Sequence, residues 1–424
     1  MSDIFGAVVV IATFILIIRG AEVRLALLCA GAVLAVASGK PNDWFDAFST
    51  SMVQAGLVTV ILPAVGFTAV IRMGECDKHL IRALVRPLRR LHVVIVPAAM
   101  LVTVLVAIAI SSAAAVTAAV GVVLIPALIA LGVHPAMAAA ALIGGTWGAA
   151  FSPASPHPAL IGDMAKMPVM DVITSHLHAS LPALIVYMVL LYGVARVLGE
   201  DRGWTGSAAA DNMDEKVNPL KALMPLLPLL LLIGGLPQFG LVSGFLPKGV
   251  SVLQAMVVGT VVTCFVAHLS PGRASKAFFD GMGEAYAGVM GIIIAAGVFI
   301  AGLTTLGVVD HIIEALKAAK SVAPIAGMVG PFGIAVLSGS GDAAAIAFNK
   351  AMLPHAEALG MTKVALGNIA WIGSALGRGM SPVAAATAIA AGYAAVPVFE
   401  IAKRTAIPAL VTAVVVVVLM SLSQ

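Results

Sequence analysis

Long apolar segments, each close to the length that crosses a bilayer, set the strongest limit on how this chain can fold. A spanning helix needs about 20 mainly apolar residues, and such segments recur from the N-terminal MSDIFGAVVVIATFILIIRG to the end of the sequence. Only 10% of the residues are charged, against about 25% in soluble proteins. The N-terminal segment has no basic region or cleavage site, so we expect a first membrane helix there. The sequence predicts an all-α polytopic membrane protein that binds the lipid bilayer and no nucleic acid.

The chain also contains an internal duplication, which indicates two structural repeats. We predict a first repeat over residues 1–198, a cytoplasmic linker over 199–219 and a second repeat over 220–424. The matching segments follow one order in both halves: FDAF and FFDGM, GECDKHLIRAL (74–84) and GVVDHIIEAL (307–316), IPALIALG (125–132) and LPHAEALG (353–360), Gly145-Thr146 and Gly373-Ser374, and Ser152-Pro153 and Ser381-Pro382.

The charge distribution predicts that the two repeats have opposite orientations. The richest basic loop, between Arg72 and Arg90, favours the cytoplasm, whereas its counterpart at 304–320 is far less basic. Five crossings per repeat, an odd number, would invert the second repeat, as in secondary transporters. The predicted spans lie near 4–18, 24–38, 50–71, 138–162 and 178–196, and near 222–236, 250–268, 285–303, 364–395 and 405–422.

Two apolar segments carry a polar interruption at their centre. Residues 93–131 contain SSAAAVT, and residues 322–359 contain SGSGD, with arms of roughly 15 residues on either side. Each segment predicts a re-entrant hairpin, because both of its flanks must stay on one side to keep the charge pattern. Non-helical backbone at membrane depth survives only where it is buried or lines a cavity. We therefore expect the two hairpin tips to meet at a common polar site.

The helices that follow the hairpins should also be broken. The predicted helix 138–162 is interrupted by GGTWGAAFSPASPHP, and 364–395 by GSALGRGMSP. Unwinding exposes backbone N–H groups and helix N-termini, which favours an anion. Alternating access would follow if the hairpins and broken helices moved as one body against the other spans.

Arg378 is the candidate ligand for a carboxylate, since a charge within an apolar segment is costly unless it is paired or functional. A guanidinium binds a carboxylate through two parallel hydrogen bonds. The alternatives are a structural partner for Asp342 or for free carbonyls and, for any single serine, simple close packing of small residues. The candidate substrate-binding residues are Ser111, Ser112, Thr117, Gly145, Thr146, Ser152, Ser155, Ser338, Gly339, Ser340, Gly341, Ser374, Arg378 and Ser381.

Asp342 and His157 are the candidate residues for a coupling ion or proton. Asp342 could coordinate a cation, carry a proton or pair with Arg378, and His157 falls inside a predicted break. We expect no cofactor and no metal site apart from a coupling Na⁺ or H⁺ near the hairpin tips. The sequence shows no Ser/His/Asp arrangement or cofactor motif, so we predict that the chain is not an enzyme. A membrane enzyme using Ser338 and Asp342 and a structural subunit are the alternatives from other classes.

The second half resembles the DcuC family of anaerobic C4-dicarboxylate transporters. The resemblance rests on SGSGDAAAIAF, GNIAWIGSALGRGMSPVAAA and FEIAKRTAIPALV, where the family has an SGSG tip, an LGR…SPV break and a closing F-E-x-x-K-R-T-x-x-P segment. SSAAAVTAAVGVVLIPALIALGV and SPASPH look like the corresponding first-half elements. The likeness runs from about 45 to 422 and is strongest over 338–411. One departure is Asp342, since the family commonly has Asn after SGSG.

This resemblance implies the fold of the ion-transporter superfamily: two inverted repeats of about five transmembrane helices, each with a re-entrant hairpin and a broken helix. It implies an elevator-type secondary transporter, in a homodimer, in the bacterial cytoplasmic (inner) membrane. Its substrate would be a small carboxylate, succinate or fumarate, moved by cation-coupled symport or by exchange or efflux. The alternative is a carrier of the same superfamily for an amino acid, another organic anion or Na⁺/H⁺ antiport.

Overall fold

The computed structural model describes residues 2–19, 21–87, 94–205, 216–235, 250–307 and 322–422, and all regular elements within them are helices. Parts of the predicted basic loop, linker and second-half counterpart lie outside these residues. The first-half helices are α1 (Ser2–Ile18), α2 (Val23–Ala37), α3 (Asn42–Met52), α4 (Ala55–Met73), α5 (Cys76–Val85), α6 (Ile95–Ala109), α7 (Ala113–Ala130), α8 (Pro135–Gly145), α9 (Pro156–Ala165) and α10 (Val169–Val197). The later ones are α11 (Pro219–Leu223), α12 (Leu227–Gly234), α13 (Val252–Val266), α14 (Pro271–Ala285), α15 (Gly291–Thr305), α16 (Ala323–Ser338), α17 (Gly341–Met352), α18 (Lys363–Met380), α19 (Ala385–Ala394) and α20 (Val398–Leu422).

Several helices have the length and composition of membrane spans. Within the described residues, five pass both criteria; the longest runs through α14, a π-helical turn and α15 without interruption. This confirms the predicted helical, multi-pass membrane protein. The five are Ala55–Met73, Ala113–Ala130, Val169–Val197, Pro271–Thr305 and Val398–Leu422.

The two polar interruptions fall where the sequence predicts them. Helix α6 ends at Ala109, and Ser112 caps α7 by accepting the amide of Ala115. In the second half Ser340 caps α17 in the same way, after Gly339 with a φ of +73°. A serine hydroxyl satisfies an amide that the first helical turn leaves unpaired, which explains why each helix restarts there. Helix α7 has 18 residues, more than the predicted arm.

The first broken helix agrees with the prediction, but the second breaks later than expected. Helix α8 gives way to a 3₁₀ turn at Thr146, and α9 starts only at Pro156. By contrast, α18 is continuous through Gly373, Ser374 and Arg378, so the prediction of an interruption from residue 373 is wrong. The chain leaves the helix at Ser381, because Pro382 disfavours helical backbone in the residue before it.

Glycines in these helices permit close packing rather than unwinding. A Cβ added to Gly145 would lie 2.6 Å from the Met100 carbonyl oxygen, and one added to Gly373 would lie 2.8 Å from that of Met328. Both residues of the second contact stand 228 positions after those of the first. The duplication seen in the sequence therefore recurs as a duplicated helix contact, of α8 with α6 and of α18 with α16.

Helices α10 and α20, which contain the last predicted span of each repeat (178–196 and 405–422), pack against each other in opposite directions. Glu200, just beyond the end of α10, pairs with Arg404 near the start of α20. At the other end, Met420 of α20 lines the same cavity as Met167 and Ser175 near the start of α10. Two helices that the duplication relates thus run antiparallel.

Backbone hydrogen bonds attach the segment after α10 to the loop between α7 and α8. The Trp204 amide donates to the Gly132 carbonyl at 2.9 Å, and the His134 amide donates to the Glu200 carbonyl at 2.9 Å. At the far end of the predicted linker, the Asn218 amide donates to His79 of α5 at 3.2 Å. The described ends of the linker are therefore bound to different parts of the molecule.

Candidate functional site

The first tip contacts the first helix break. The Ser111 hydroxyl donates to the Ala154 carbonyl at 3.2 Å, across 43 positions of the sequence. Within the break, the Ser152 hydroxyl accepts the Ala154 amide at 3.2 Å. Pro153 and Pro156 hold the residues before them, Ser152 and Ser155, in extended conformations, and a turn closed by the Ser155 amide and the Ser152 carbonyl at 3.1 Å separates the two. These contacts place the start of α7 beside the start of α9.

The second tip contacts the second break in the same manner. A Cβ added to Gly339 would lie 2.8 Å from the Val383 carbonyl oxygen and 2.9 Å from the Ala384 Cα. One added to Gly341 would lie 3.0 Å from the Ser374 carbonyl oxygen and 3.3 Å from the Arg378 Cβ. The glycines at this tip therefore allow the start of α17 to lie against both α18 and the start of α19.

Three charged or titratable side chains connect the two halves at the centre of these contacts. His157 Nε2, in the first turn of α9, lies 3.0 Å from the Asp342 Oδ1 in the first turn of α17. Arg378 Nη1 lies 4.0 Å from the same oxygen. The side chains of His157 and Arg378 are only 1% and 8% exposed, whereas that of Asp342 is 45% exposed. The site is therefore accessible on the side of Asp342.

The N-termini of α7, α9, α17 and α19 form a continuous series around this site. Ser111 joins the first two, the His157–Asp342 contact joins α9 to α17, and Gly339 joins α17 to α19. A helix N-terminus carries a partial positive charge and unpaired amides. Because four such ends adjoin one another next to Arg378, the arrangement is suited to hold a negatively charged group.

Arg378 retains unused hydrogen-bonding capacity. Its Nε and Nη2 atoms are buried and have no hydrogen-bond partner among the described residues. The same holds for the Ser155 hydroxyl and for His157 Nδ1. A buried donor without a partner is costly, and a guanidinium edge matches the two oxygens of a carboxylate. The unpaired donors therefore favour a carboxylate ligand.

The remaining candidate hydroxyls bond locally. Thr117 and Thr146 donate to carbonyls one turn earlier in their own helical segments, as Ser338 and Ser374 do. The hydroxyls of Ser112, Ser340 and Ser381 accept backbone amides at helix starts or at the second break. In the described conformation these side chains shape the tips and breaks, and each has a protein partner for its hydroxyl.

Two residues at or near the site escape prediction from the sequence. Trp371 stacks on His157 with ring centroids 3.6 Å apart and 14° between the planes. The one signal in the sequence is an indole seven positions before Arg378. Lys350, two turns beyond Asp342 on α17, donates to the Ile293 carbonyl of α15 at 2.9 Å. Both contacts depend on long-range packing that local patterns do not encode.

The fold and the site together define a multi-pass membrane transporter, and the comparisons agree. The fold is similar to that in the crystal structure of the Alcanivorax borkumensis YdaH transporter, with a TM-score of 0.61 and 17% sequence identity. The similarity covers 89% of this chain and 86% of that one. The chain belongs to the DcuC family, whose sequence model, described as "C4-dicarboxylate anaerobic carrier", matches residues 43–424.

Individual relatives support the same assignment. An uncharacterized transporter of Haemophilus influenzae is 40% identical over 64% of this chain and 99% of its own length. The anaerobic C4-dicarboxylate transporter DcuC of Escherichia coli K12 is 30% identical over 39% of this chain and 38% of its own. A probable anaerobic C4-dicarboxylate transporter DcuC of Vibrio cholerae is 33% identical over 34% of this chain and 32% of its own length. The family consists of transporters, which confirms both the predicted family and the prediction that the chain is not an enzyme.

Proposed function

We propose that the protein is a secondary active transporter of C4-dicarboxylates such as succinate and fumarate. The observation that carries this proposal is the buried Arg378, with two unpaired guanidinium nitrogens, beside four adjoining helix N-termini. A site with this excess of positive potential suits an anion. The family description as carriers of C4-dicarboxylates supports the particular anion.

One substrate carboxylate would bind the edge of Arg378 formed by Nε and Nη2, which is buried in the described conformation and would have to become accessible on binding. The other would bind toward the helix N-termini, where the Ser155 hydroxyl has no protein partner among the described residues. Removing two carboxylates from water is costly unless both are hydrogen-bonded. We therefore expect a monocarboxylate, which leaves part of the site unpaired, to bind more weakly than a dicarboxylate.

Transport would proceed by elevator-type alternating access within two inverted repeats, each with a re-entrant hairpin. The antiparallel packing of α10 and α20 supports the inversion. The moving body would comprise α6–α10 and α16–α20. Helix α10 is included because the segment after it is hydrogen-bonded to the loop between α7 and α8. Helix α20 is included because its Arg404 pairs with Glu200 of that segment. Lys350 of α17 and Asp163 of α9 contact the other helices, α15 and α4. These contacts would have to change during transport.

The remaining assignments follow the family resemblance. Transport would be driven by a coupling cation, H⁺ or Na⁺, or by exchange for a second dicarboxylate. The protein would work as a homodimer in the bacterial cytoplasmic membrane. Its domains would be the two repeats, 1–198 and 220–424, joined by the linker 199–219.

Arg378→Gln tests the proposal directly. We expect exchange of labelled succinate in proteoliposomes to fall roughly 30-fold or more, because loss of a buried charge partner typically costs 2–5 kcal/mol. Arg202→Gln is the matched control, because this substitution removes the same charge from a side chain that is 71% exposed. The unfolding temperature of both variants in detergent checks that they fold. Near-normal exchange by a folded Arg378→Gln variant would refute the assignment.

Competition identifies the substrate class. Unlabelled succinate and fumarate should suppress labelled succinate exchange, while monocarboxylates such as lactate and alanine should require much higher concentrations. Strong competition by alanine would favour an amino-acid carrier. If the protein exchanges no carboxylate but still dissipates a Na⁺ gradient across the liposome membrane, Na⁺/H⁺ antiport is favoured.

A further inference from the structure

Asp342 places an internal carboxylate next to the arginine that we assign to the substrate. A single oxygen, Oδ1, lies 3.0 Å from His157 Nε2 and 4.0 Å from Arg378 Nη1. Arg378 belongs to α18, whereas Asp342 is on the second tip, and His157 comes from the opposite half of the chain. A carboxylate at this position repels a bound substrate anion. Its presence at the site therefore calls for a function of its own.

The position of Asp342 suggests such a function. Arg378 is buried, and Asp342 is the acid that pairs with it among the described residues. An uncompensated guanidinium inside a membrane protein is costly to hold and to move. When the site contains no substrate, the Asp342 carboxylate neutralises Arg378 and removes most of this cost.

Binding of substrate reverses the arrangement. A substrate carboxylate on Arg378 would repel Asp342, which can keep its contact with His157 on the other side. The groups that face His157 are Asp342 from α17 and Arg378 and Trp371 from α18. A proton taken up with the substrate and held between His157 and Asp342 would offset the displaced negative charge, and it would leave with the substrate on the other side.

We propose that Asp342 acts as a built-in substitute for the substrate carboxylate, so that the empty carrier can return across the membrane. This inference rests on the proposed function. A carrier that cannot return empty performs only one-for-one exchange, because each half-cycle then needs a bound substrate. With Asp342 in place, the protein can carry out net uptake or efflux as well as exchange.

Asp342→Asn separates the two modes. Asparagine keeps the size and a hydrogen-bonding oxygen for His157 but leaves Arg378 uncompensated in the empty site. We expect net efflux of labelled succinate into substrate-free buffer to fall at least about tenfold more than exchange against external succinate does. The binding of succinate, measured by calorimetry on the purified protein, should become tighter, because the internal competitor has lost its charge.

The control is Asp171→Asn, which removes an exposed acid from the first turn of α10. It should leave the ratio of net efflux to exchange unchanged. If Asp342→Asn lowers both fluxes equally, weakens succinate binding or leaves the ratio unchanged, the inference is wrong. If wild-type protein exchanges no dicarboxylate, the proposed function fails and this inference fails with it.

Discussion

At the scale of single residues, the second tip depends on a glycine that no other residue can replace without strain. Gly339 has a φ of +73°, and its α-carbon lies so close to Val383 and Ala384 that an added Cβ would meet the Val383 carbonyl at 2.8 Å. A left-handed conformation costs a residue with a side chain about 1–3 kcal/mol. Here the cost would add to a clash with the second break, so the tip and the break would separate.

Gly339→Ala should therefore lower the free energy of unfolding by about 1–3 kcal/mol and reduce succinate exchange. Gly333→Ala, on the neighbouring helix α16, is the control, because an added Cβ there has no atom within 4 Å. Alanine is the better helix former by about 1 kcal/mol, so that variant should be unchanged or slightly more stable. Thermal unfolding in detergent, followed by exchange assays, measures both. Equal effects of the two substitutions would contradict a special requirement at Gly339.

Sequence patterns locate these special residues only where the local chemistry is unambiguous. Ser112 and Ser340 are serines at polar breaks in apolar segments, and both cap the helix that follows. Gly373 is ambiguous, because glycine permits unwinding and close helix packing alike. The structure uses it for packing against Met328. The His157–Trp371 stack brings together residues 214 positions apart in the sequence, and only the folded chain can reveal such a pairing.

At the scale of whole elements, a buried cluster of charges fastens α20 to the end of α10. Arg404 Nε donates to Glu200 Oε2 at 2.6 Å, and its Nη1 donates to Glu400 Oε2 at 2.8 Å. The Arg404 and Glu200 side chains are only 8% and 11% exposed. These contacts explain part of the F-E-x-x-K-R-T-x-x-P segment, to which sequence patterns assigned no role. The antiparallel order of α10 and α20 therefore depends on charges that sit just outside the apolar core.

Removing one member of this cluster should be strongly destabilising. Arg404→Met leaves Glu200 buried without its partner, a change that typically costs 3–5 kcal/mol. Lys403→Met is the matched control, since the Lys403 side chain is 69% exposed and its pair with Glu400 lies at the surface. We expect that control to change stability by less than about 0.5 kcal/mol.

The double variant Glu200→Gln with Arg404→Met tests the explanation. It removes both buried charges, so it should be more stable than Arg404→Met alone. Thermal unfolding of wild type, of Glu200→Gln and Arg404→Met separately, and of the double variant gives the comparison. If the double variant loses the full sum of both single effects, the Glu200–Arg404 contact does not account for the stability of this junction.

At the scale of the whole molecule, the duplicated sequence predicts much of the architecture, but not the contacts between its parts. The order of polar interruption and helix break can be read twice in the sequence, and the helix contacts at Gly145 and Gly373 repeat at the same spacing. The contacts of Lys350 with α15 and of Asp163 with α4 have no such signature. They join helices that are distant in sequence, and they involve side chains whose sequence neighbours are ordinary helix residues.

Those same contacts make the proposed motion testable. A Cβ added to Gly56 of α4 would lie 3.3 Å from the Asp163 Cβ of α9, close to the spacing of about 3.5–4.5 Å in natural disulfides. Gly56→Cys with Asp163→Cys, in a background without Cys29, Cys76 and Cys264, should therefore cross-link on oxidation. If α9 moves against α4 during each cycle, the cross-link should stop succinate exchange, and reduction should restore it.

Gly74→Cys with Ala267→Cys provides the matched control, because an added Cβ on Gly74 would lie 2.9 Å from the Ala267 Cβ. Both positions follow helices, α4 and α13, that we assign to the stationary part. Their cross-link should leave exchange intact. Full exchange by the cross-linked Gly56–Asp163 pair would show that these two helices stay together throughout the cycle. In that case the moving body cannot include α9, and the helix carrying His157 would stay fixed while substrate crosses.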